Sequence, residues 1–381
     1  MTLFPADYTI LAIETSCDET AAAVVRGGRT ILSNVVASQI EAHRRYGGVV
    51  PEVASRQHIL ALVPVIAQAI NEVAGGWDAI HAVAATNGPG LSGALLTGLN
   101  AAKALAFQRG LPFFAINHLE SHIYANWLDT TGPGTNSTPP QFPLVALVVS
   151  GGHTLIALLR EHGRYELLGQ TRDDAVGEAF DKVARILGLG FPGGPAIQQA
   201  AETSPGGGVL PRAWLRDSYD FSFSGIKTAV LHKVQERRER DSRTVTSGER
   251  PRTAPKSRGE SRAVAVAPSD EPMTPEALPA AFVAQMAAAF QDSVVDVLVT
   301  KVVDAARRYK ASEILLAGGV AANTRLRAEL SRRAGLPVRY PPIDLCTDNA
   351  AMVAAAAYYR GDDASHRGWG VDIIPNLPLG G

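Results

Sequence analysis

The chain has 381 residues, 46% of them hydrophobic, which is enough for a large core and suggests about two domains. Its 36 Lys and Arg against 37 Asp and Glu give a net charge of -1, which excludes a strongly basic nucleic-acid-binding domain, so a polyanion would need a local patch or a surface shared with a partner. Two cysteines, Cys17 and Cys346, exclude a disulfide framework; with no signal-peptide pattern and no apolar run near the roughly 20 residues that span a bilayer, a cytoplasmic chain without membrane segments is expected.

Residues 8–14 read as a buried strand ending in the polar cluster Thr15-Ser16-Cys17-Asp18-Glu19-Thr20. Strands over 21–26 and 30–37 follow, joined at Gly27-Gly28, so the chain opens with a three-stranded meander that carries acids at its first turn. Residues 38–54 read as irregular. The spacing of Ile59, Leu62, Val63, Ile66 and Ile70 predicts a helix over 55–73 with Ser55 as its cap. A strand over 79–86, the glycine-rich turn 87–93, an Ala/Leu-rich helix to about 109 and a strand over 112–116 lead to a helix that opens at His118.

Beyond a linker-like segment at 131–140 the opening pattern recurs. Strands over 144–149, 155–160 and 165–171 enclose the turn Ser150-Gly151-Gly152-His153-Thr154, and a helix over 174–187 ends at Gly188. Two similar halves, each a mixed sheet with helices, predict a cleft between them with ligands held beyond the strand ends by glycine turns. Residues 235–271 are rich in Arg, Glu, Ser, Thr and Pro and read as a disordered insertion, most simply just solvated. Helical patterning resumes over 275–308. A strand over 313–317 then opens through Gly318-Gly319 onto a helix near Asn323, and Asp348 precedes an Ala-rich helix.

His118 and His122 stand four residues apart, which places both imidazoles on one helix face, within reach of one metal ion. Two unrelated polar residues would give the same pattern. A third ligand must come from elsewhere, and Asp348 is the best-placed acid, although a helix-capping role also accounts for it. Asp18 is either a proton acceptor or a turn residue, and Glu14 and Glu19 share its ambiguity. His153 either packs or hydrogen-bonds at its turn, and Lys182 is spaced to pair with Glu178.

Several ordered motifs carry a resemblance. Ile13-Glu14-Thr15-Ser16-Cys17-Asp18-Glu19-Thr20, Gly47-Gly48-Val49-Val50-Pro51-Glu52, Asn117-His118-Leu119-Glu120-Ser121-His122, Ser150-Gly151-Gly152-His153-Thr154, Gly177-Glu178-Ala179-Phe180-Asp181-Lys182, Phe221-Ser222-Phe223-Ser224-Gly225 and Cys346-Thr347-Asp348-Asn349 together resemble the TsaD family. These are the tRNA N6-adenosine threonylcarbamoyltransferases, formerly the glycoprotease family, with an α/β, actin-like ATPase fold of two duplicated subdomains. The resemblance covers about residues 8–360 apart from the insertion. It implies subdomains over 1–135, completed by a helix at about 343–365, and over 141–340, with the insertion at 236–271 inside the second.

The implied reaction moves the threonylcarbamoyl group from threonylcarbamoyl-AMP to N6 of adenosine 37 in tRNAs reading codons that begin with A. The resemblance further implies one divalent metal per subunit, iron in the family, on His118, His122 and Asp348, with Mg-ATP or an adenylate as a further occupant of the cleft. Val148, Val149, Ser150, Gly151 and Gly152 would line the substrate with Asp181, Gly194 and Asn323. Asp181 and Asn323 are expected to hydrogen-bond the ribose or base, and Asp18 is the candidate catalytic residue. The implied partners are tRNA, a TsaB-like paralogue and a TsaE-like ATPase. The family often has glycine where Ser121 stands. A small-molecule kinase or ATPase of the same fold would leave the paired histidines idle. A metallopeptidase would want His-Glu-x-x-His, whereas Glu120 falls on roughly the opposite helix face.

Overall fold

A computed structural model describes residues 4–129, 138–204, 206, 208–247, 278–361 and 368–380. Strands β1 (Thr9–Glu14), β2 (Glu19–Arg26) and β3 (Thr30–Ser38) form the first antiparallel meander. Helices α1 (Ile40–Arg44) and α2 (Pro51–Asn71) follow, then β4 (Ala82–Gly88), α3 (Ser92–Arg109), β5 (Phe113–Asn117) and α4 (His118–Tyr124). The second half runs through β6 (Leu144–Val149), β7 (Thr154–Glu161), β8 (Arg164–Gln170), α5 (Val176–Leu187), α6 (Gly193–Glu202), α7 (Ser224–Ser247) and α8 (Ala280–Arg308). It closes with β9 (Glu313–Ala317), α9 (Thr324–Arg333), β10 (Val338–Arg339) and α10 (Ala350–Arg360).

The two sheets have the same plan. One is ordered β3-β2-β1-β4-β5 and the other β8-β7-β6-β9-β10, each an antiparallel meander extended by two parallel strands. The first strand of each meander, β1 or β6, is buried along its whole length, and both read as apolar runs, β6 throughout and β1 from Ile10 to Ile13, as strands covered on both faces do. Helices α2 and α3 cover the outer face of the first sheet, and α5 to α8 that of the second. Between the sheets, α4 and α10 share one apolar core with residues of both, including Ile10, Phe114, Val148 and Leu315. The alanine run of α10 makes this possible, since its short side chains let backbone approach strand closely on every side. The result is five layers, with α4 in the middle one.

Four local readings change. Residues 38–54, read as irregular, hold α1 and the first turn of α2. Helix α2 starts at Pro51, four residues before Ser55, because proline suits the first turn of a helix; the Ser55 hydroxyl donates to the Pro51 carbonyl at 2.9 Å inside the helix and caps nothing. Helix α5 starts at Val176, two residues later than expected, because the acids before it are engaged elsewhere: Asp173 accepts from the Phe223 backbone N–H and the Ser224 hydroxyl, and Asp174 holds Lys182 and Lys227. Of the expected insertion, residues 236–247 are the end of α7, where charge spacing favours helix over disorder, as the Arg237–Asp241 pair at 2.9 Å shows. Residues 248–271 of that insertion lie outside the described residues.

Helices α2 and α8 are long and apolar enough to cross a bilayer by length and composition, contrary to the reading from uninterrupted runs. Burial of α8 in the second core accounts for its apolar character. Helix α2 packs one face on the first sheet and leaves Ile59, Leu60 and Val63 65%, 70% and 73% exposed on the other.

Candidate metal centre and cleft

Strand β5 runs straight into α4 because Asn117 turns the chain. Its side-chain oxygen accepts from the backbone N–H of Leu119 at 2.9 Å and of Glu120 at 3.4 Å, satisfying two first-turn donors. All seven residues of α4 are buried, so the helix delivers its histidines into the interior at the end of the first sheet.

The rings of His118 and His122 meet edge to face with centroids 4.6 Å apart. Asp348, just before the Asn349 cap of α10, places Oδ1 3.6 Å from His118 Nε2 and 3.2 Å from His122 Nε2. The three donors lie within 4.8 Å of one another. Ligands about 2.0–2.2 Å from a common ion are separated by roughly 3–3.6 Å, so both carboxylate distances have the span of a coordination edge. Neither ring nitrogen of the buried His122 has a hydrogen-bonding partner among the described residues; Asp348 is near its Nε2 but out of hydrogen-bond alignment. An unpaired imidazole in the interior is costly unless something else binds it, so the donor set fits a cation.

Glu14, at the end of β1, completes the support. Its side chain is fully buried, with Oε1 accepting from the Ser16 backbone N–H at 2.5 Å and Oε2 from the Thr86 hydroxyl at 2.5 Å. The same Oε2 lies 3.2 Å from His118 Nδ1, with the Ser16 hydroxyl 3.1 Å away. Burial pushes the Glu14 carboxyl up, but the His118 imidazole more than offsets it and holds the group below its usual value. As a carboxylate Glu14 can only accept, which puts a proton on Nδ1 and leaves Nε2 as the ring atom turned toward Asp348, free to exchange its proton for a metal. Burial opposes charge on His118, yet Asp348 and Glu14 raise its pKa to about 9, which reflects the strongly negative potential here.

Across the cleft, Ser150 closes the turn after β6: its N–H donates to the His153 carbonyl at 2.8 Å, and its hydroxyl accepts from the His153 N–H at 3.1 Å. His153 is pushed down to about 4 by burial and by the charges of His118 and His122, so this turn lies in the field of the α4 cluster. Gly151, Gly152 and Gly194 have ordinary backbone angles, and a Cβ on any of them would meet open space. The fold does not require glycine there, whereas a closely approaching ligand would. Val148 and Val149 differ from expectation in one respect: their side chains are buried in the two cores, so they offer the cleft only backbone.

Asp181 accepts from the Gly193 N–H at 2.7 Å, and burial raises its pKa, helped by the charge of Asp18 from the opposite half. Asn323 is largely occupied. Its oxygen caps α9 through the Leu326 N–H at 2.9 Å, and its amide donates to Gln291 at 2.8 Å, leaving one N–H and one lone pair for anything else. Asp18 is partly exposed beside Glu19, whose pKa is raised to about 10 by burial and by the charges of Asp18 and Asp348. Lys182 pairs with Glu178 at 2.7 Å and with Asp174 at 2.7 Å. Glu120 is locked in a buried two-pronged pair with Arg360, Nε to Oε2 at 2.7 Å, and is no base for a peptidase.

Sequence reasoning missed Arg360 and the bond between Glu14 and His118. Both join positions far apart in the chain, and a buried acid in an otherwise apolar strand was the only available sign for Glu14.

Five layers built from a duplicated meander, with a cleft at the strand ends, define an actin-like ATPase-fold protein. Two solved structures of HypF share this fold: the full-length protein in its phosphate- and nucleotide-bound form, with a TM-score of 0.53 and 12% identity over 93% of this chain and 46% of that one, and T. kodakarensis HypF, at 0.51 and 12% over 94% and 48%. Identity this low carries the fold alone. The family model described as TsaD, tRNA N6-adenosine threonylcarbamoyltransferase, matches residues 30–355. Proteins of that name are 54% identical in Thermomicrobium roseum, over 97% of this chain and 96% of that one, and 50% identical in Dehalococcoides mccartyi, over 97% and 99%. The chain belongs to the TsaD family and is an enzyme of the acyltransferase class.

Proposed function

We propose that the chain transfers the threonylcarbamoyl group of threonylcarbamoyl-AMP to N6 of adenosine 37 in tRNAs reading codons that begin with A, with one divalent metal on His118, His122 and Asp348. The observation that carries the metal assignment is the buried His122, with both ring nitrogens unpaired beside a carboxylate 3.2 Å away. Two histidines and one carboxylate with open positions suit iron(II), and zinc accepts similar donors. When bound, the metal would supply a Lewis acid that polarises the carbamoyl carbonyl.

The chain's own residues do the rest. Glu14 fixes the tautomer and orientation of His118. Gly151, Gly152 and Gly194 leave room for the adenylate to approach backbone, with Val148, Val149 and Ser150 forming the floor through their main chain. Asp181 and the remaining N–H of Asn323 orient the ribose or base. The N6 amine attacks the carbamoyl carbon, the bond from that carbon to the phosphate oxygen breaks, AMP leaves, and the amine gives up a proton, for which Asp18 is the candidate acceptor. Mg-ATP is a further occupant of the same cleft.

The exposed stripe of Ile59, Leu60 and Val63 on α2 supports docking of a protein partner, a TsaB-like paralogue, with a TsaE-like ATPase serving the pair in the cytoplasm. The test is nucleoside analysis of tRNA incubated with threonylcarbamoyl-AMP and the purified chain with its partners. Modified adenosine with matching AMP release is expected, and its loss in His118→Ala and Asp348→Asn. Full modification by metal-free variants would sink the metal assignment, and sugar-dependent phosphate release without RNA modification would favour a kinase.

A further inference from the structure

The segment from His43 to Val50 crosses the mouth of the cleft and is held in one shape. The His43 ring accepts from the Val50 N–H at 3.3 Å, the Tyr46 N–H donates to the His43 carbonyl at 2.9 Å, and Arg185 of α5 donates to the Gly47 carbonyl from the opposite half. Gly47 has a φ of +68°, which favours glycine at this turn, and a Cβ there would come within 3.3 Å of the Arg185 guanidinium, so the two halves meet closely at this point. Behind this strap lies a cavity of about 550 Å³ lined by Arg44, Gly47, Asp181, Arg185, Gly190 and Phe191 among others. Asp181 marks where the cavity meets the proposed adenylate site.

The strap is unusual for a chain whose net charge is -1. Arg44 and Arg185 line the cavity, and Arg45 and Tyr46 follow Arg44 directly in the strap. Among the described residues Arg44 pairs with the exposed Glu41, 2.9 Å away, and such a pair holds it weakly. Arg45 lies over the Tyr46 ring, 4.6 Å from its centroid, and donates to the Tyr46 hydroxyl at 2.6 Å; this ring is 47% exposed. A guanidinium over an exposed aromatic ring, with two more arginines lining the adjacent cavity, suits a single-stranded RNA loop: phosphates bind the cations and an unstacked base lies on the ring or a guanidinium plane. The cavity has room for one extruded nucleoside on its way to the reacting centre.

We infer that Arg44, Arg45, Tyr46 and Arg185 form the docking rim for the RNA loop that carries the target adenosine, and that Phe191 lines the passage its base takes inward. This rests on the transferase reading. A phosphate clamp of this kind acts on RNA binding and leaves the chemical step alone, so it predicts a split between KM and kcat.

The test measures KM and kcat for tRNA with the chain and its partners, at about 50 mM and about 200 mM salt. Arg45→Ala and Tyr46→Ala should each raise KM for tRNA by about three- to tenfold with kcat held, and Arg45→Glu should raise it more, while metal content and Tm stay at wild-type values. Each lost phosphate contact should also reduce the slope of log affinity against log salt by about 0.7–1. Arg45→Lys should recover most of the charge-dependent loss. If the wild-type chain modifies tRNA and these variants match it in KM and salt slope, the rim is not the RNA site. Loss of partner binding with unchanged RNA affinity would make it a protein interface and equally overturn the inference. A wild-type chain that neither binds nor modifies RNA would instead overturn the transferase reading on which the rim depends.

Discussion

Helix α4 buries charge on two faces, and the two are finished differently. On one, Glu120 meets Arg360 in a two-pronged pair that leaves neither group short of a partner. Around that pair Tyr124, His162 and Tyr359 stack, with the His162 and Tyr359 rings 4.5 Å apart and the Tyr124 hydroxyl 3.0 Å from His162 Nδ1. On the other face, His118 is anchored by Glu14 on one nitrogen only, and His122 is not hydrogen-bonded at all among the described residues. The closed face belongs to the fold, since it ties both halves together through the central layer. The open face holds donors that the protein does not itself satisfy, which is what a site reserved for an added cation requires.

Breaking the closed face should cost the most stability. Glu120→Gln leaves the Arg360 guanidinium buried without its counter-charge, and a loss of about 3–5 kcal/mol is expected in urea unfolding. An equally stable variant would mean that the pair is not what holds the central layer.

His162 gives the same face a pH signature. Burial pushes its pKa down to about 4, so folding favours the neutral ring. This contribution is therefore complete above pH ~6.5 and is lost as pH falls toward about 4, by up to about 3 kcal/mol. On acidification the unfolding midpoint of wild type should fall relative to that of His162→Phe, which should show the flatter profile over that window. Parallel profiles would place the acid sensitivity elsewhere.

Loss of the support behind the open face should show first in metal affinity. Glu14→Gln keeps the shape but removes the charge that fixes the His118 tautomer, and a weakening of about 10- to 100-fold in competition with a chelator is expected. Unchanged affinity would remove Glu14 from the site. The smallest effect should come from Ser121→Gly, between the histidines. The Ser121 hydroxyl donates to the Asn117 carbonyl at 3.1 Å, and losing it should cost about 1 kcal/mol or less with metal binding preserved. A large loss of metal would show that the helix needs serine to hold its ligands in place.

Much of this was legible in the sequence because it is written in short-range patterns. Both meanders, the glycine turns and the shared face of His118 and His122 follow from periods of two and 3.6 and from local turn chemistry. Asp348 could be nominated from its place before a helix, although the cap itself is Asn349. What escaped was long-range or locally ambiguous. Arg360 stands 240 residues from Glu120 and Glu14 stands 104 from His118, and only the completed layers bring each pair together. The start of α2 escaped because Pro51 reads equally well as loop or first turn, and the end of α7 because its charged composition suits both a solvated helix and a disordered tail.

The most direct test of the difference between the two faces is the metal content of purified protein, by elemental analysis, in wild type, His122→Ala, Asp348→Asn and Glu120→Gln. About one metal per chain is expected in wild type and in folded Glu120→Gln, and close to none in His122→Ala and Asp348→Asn. Wild-type metal content in His122→Ala and Asp348→Asn would contradict the assignment of the open face as the metal site.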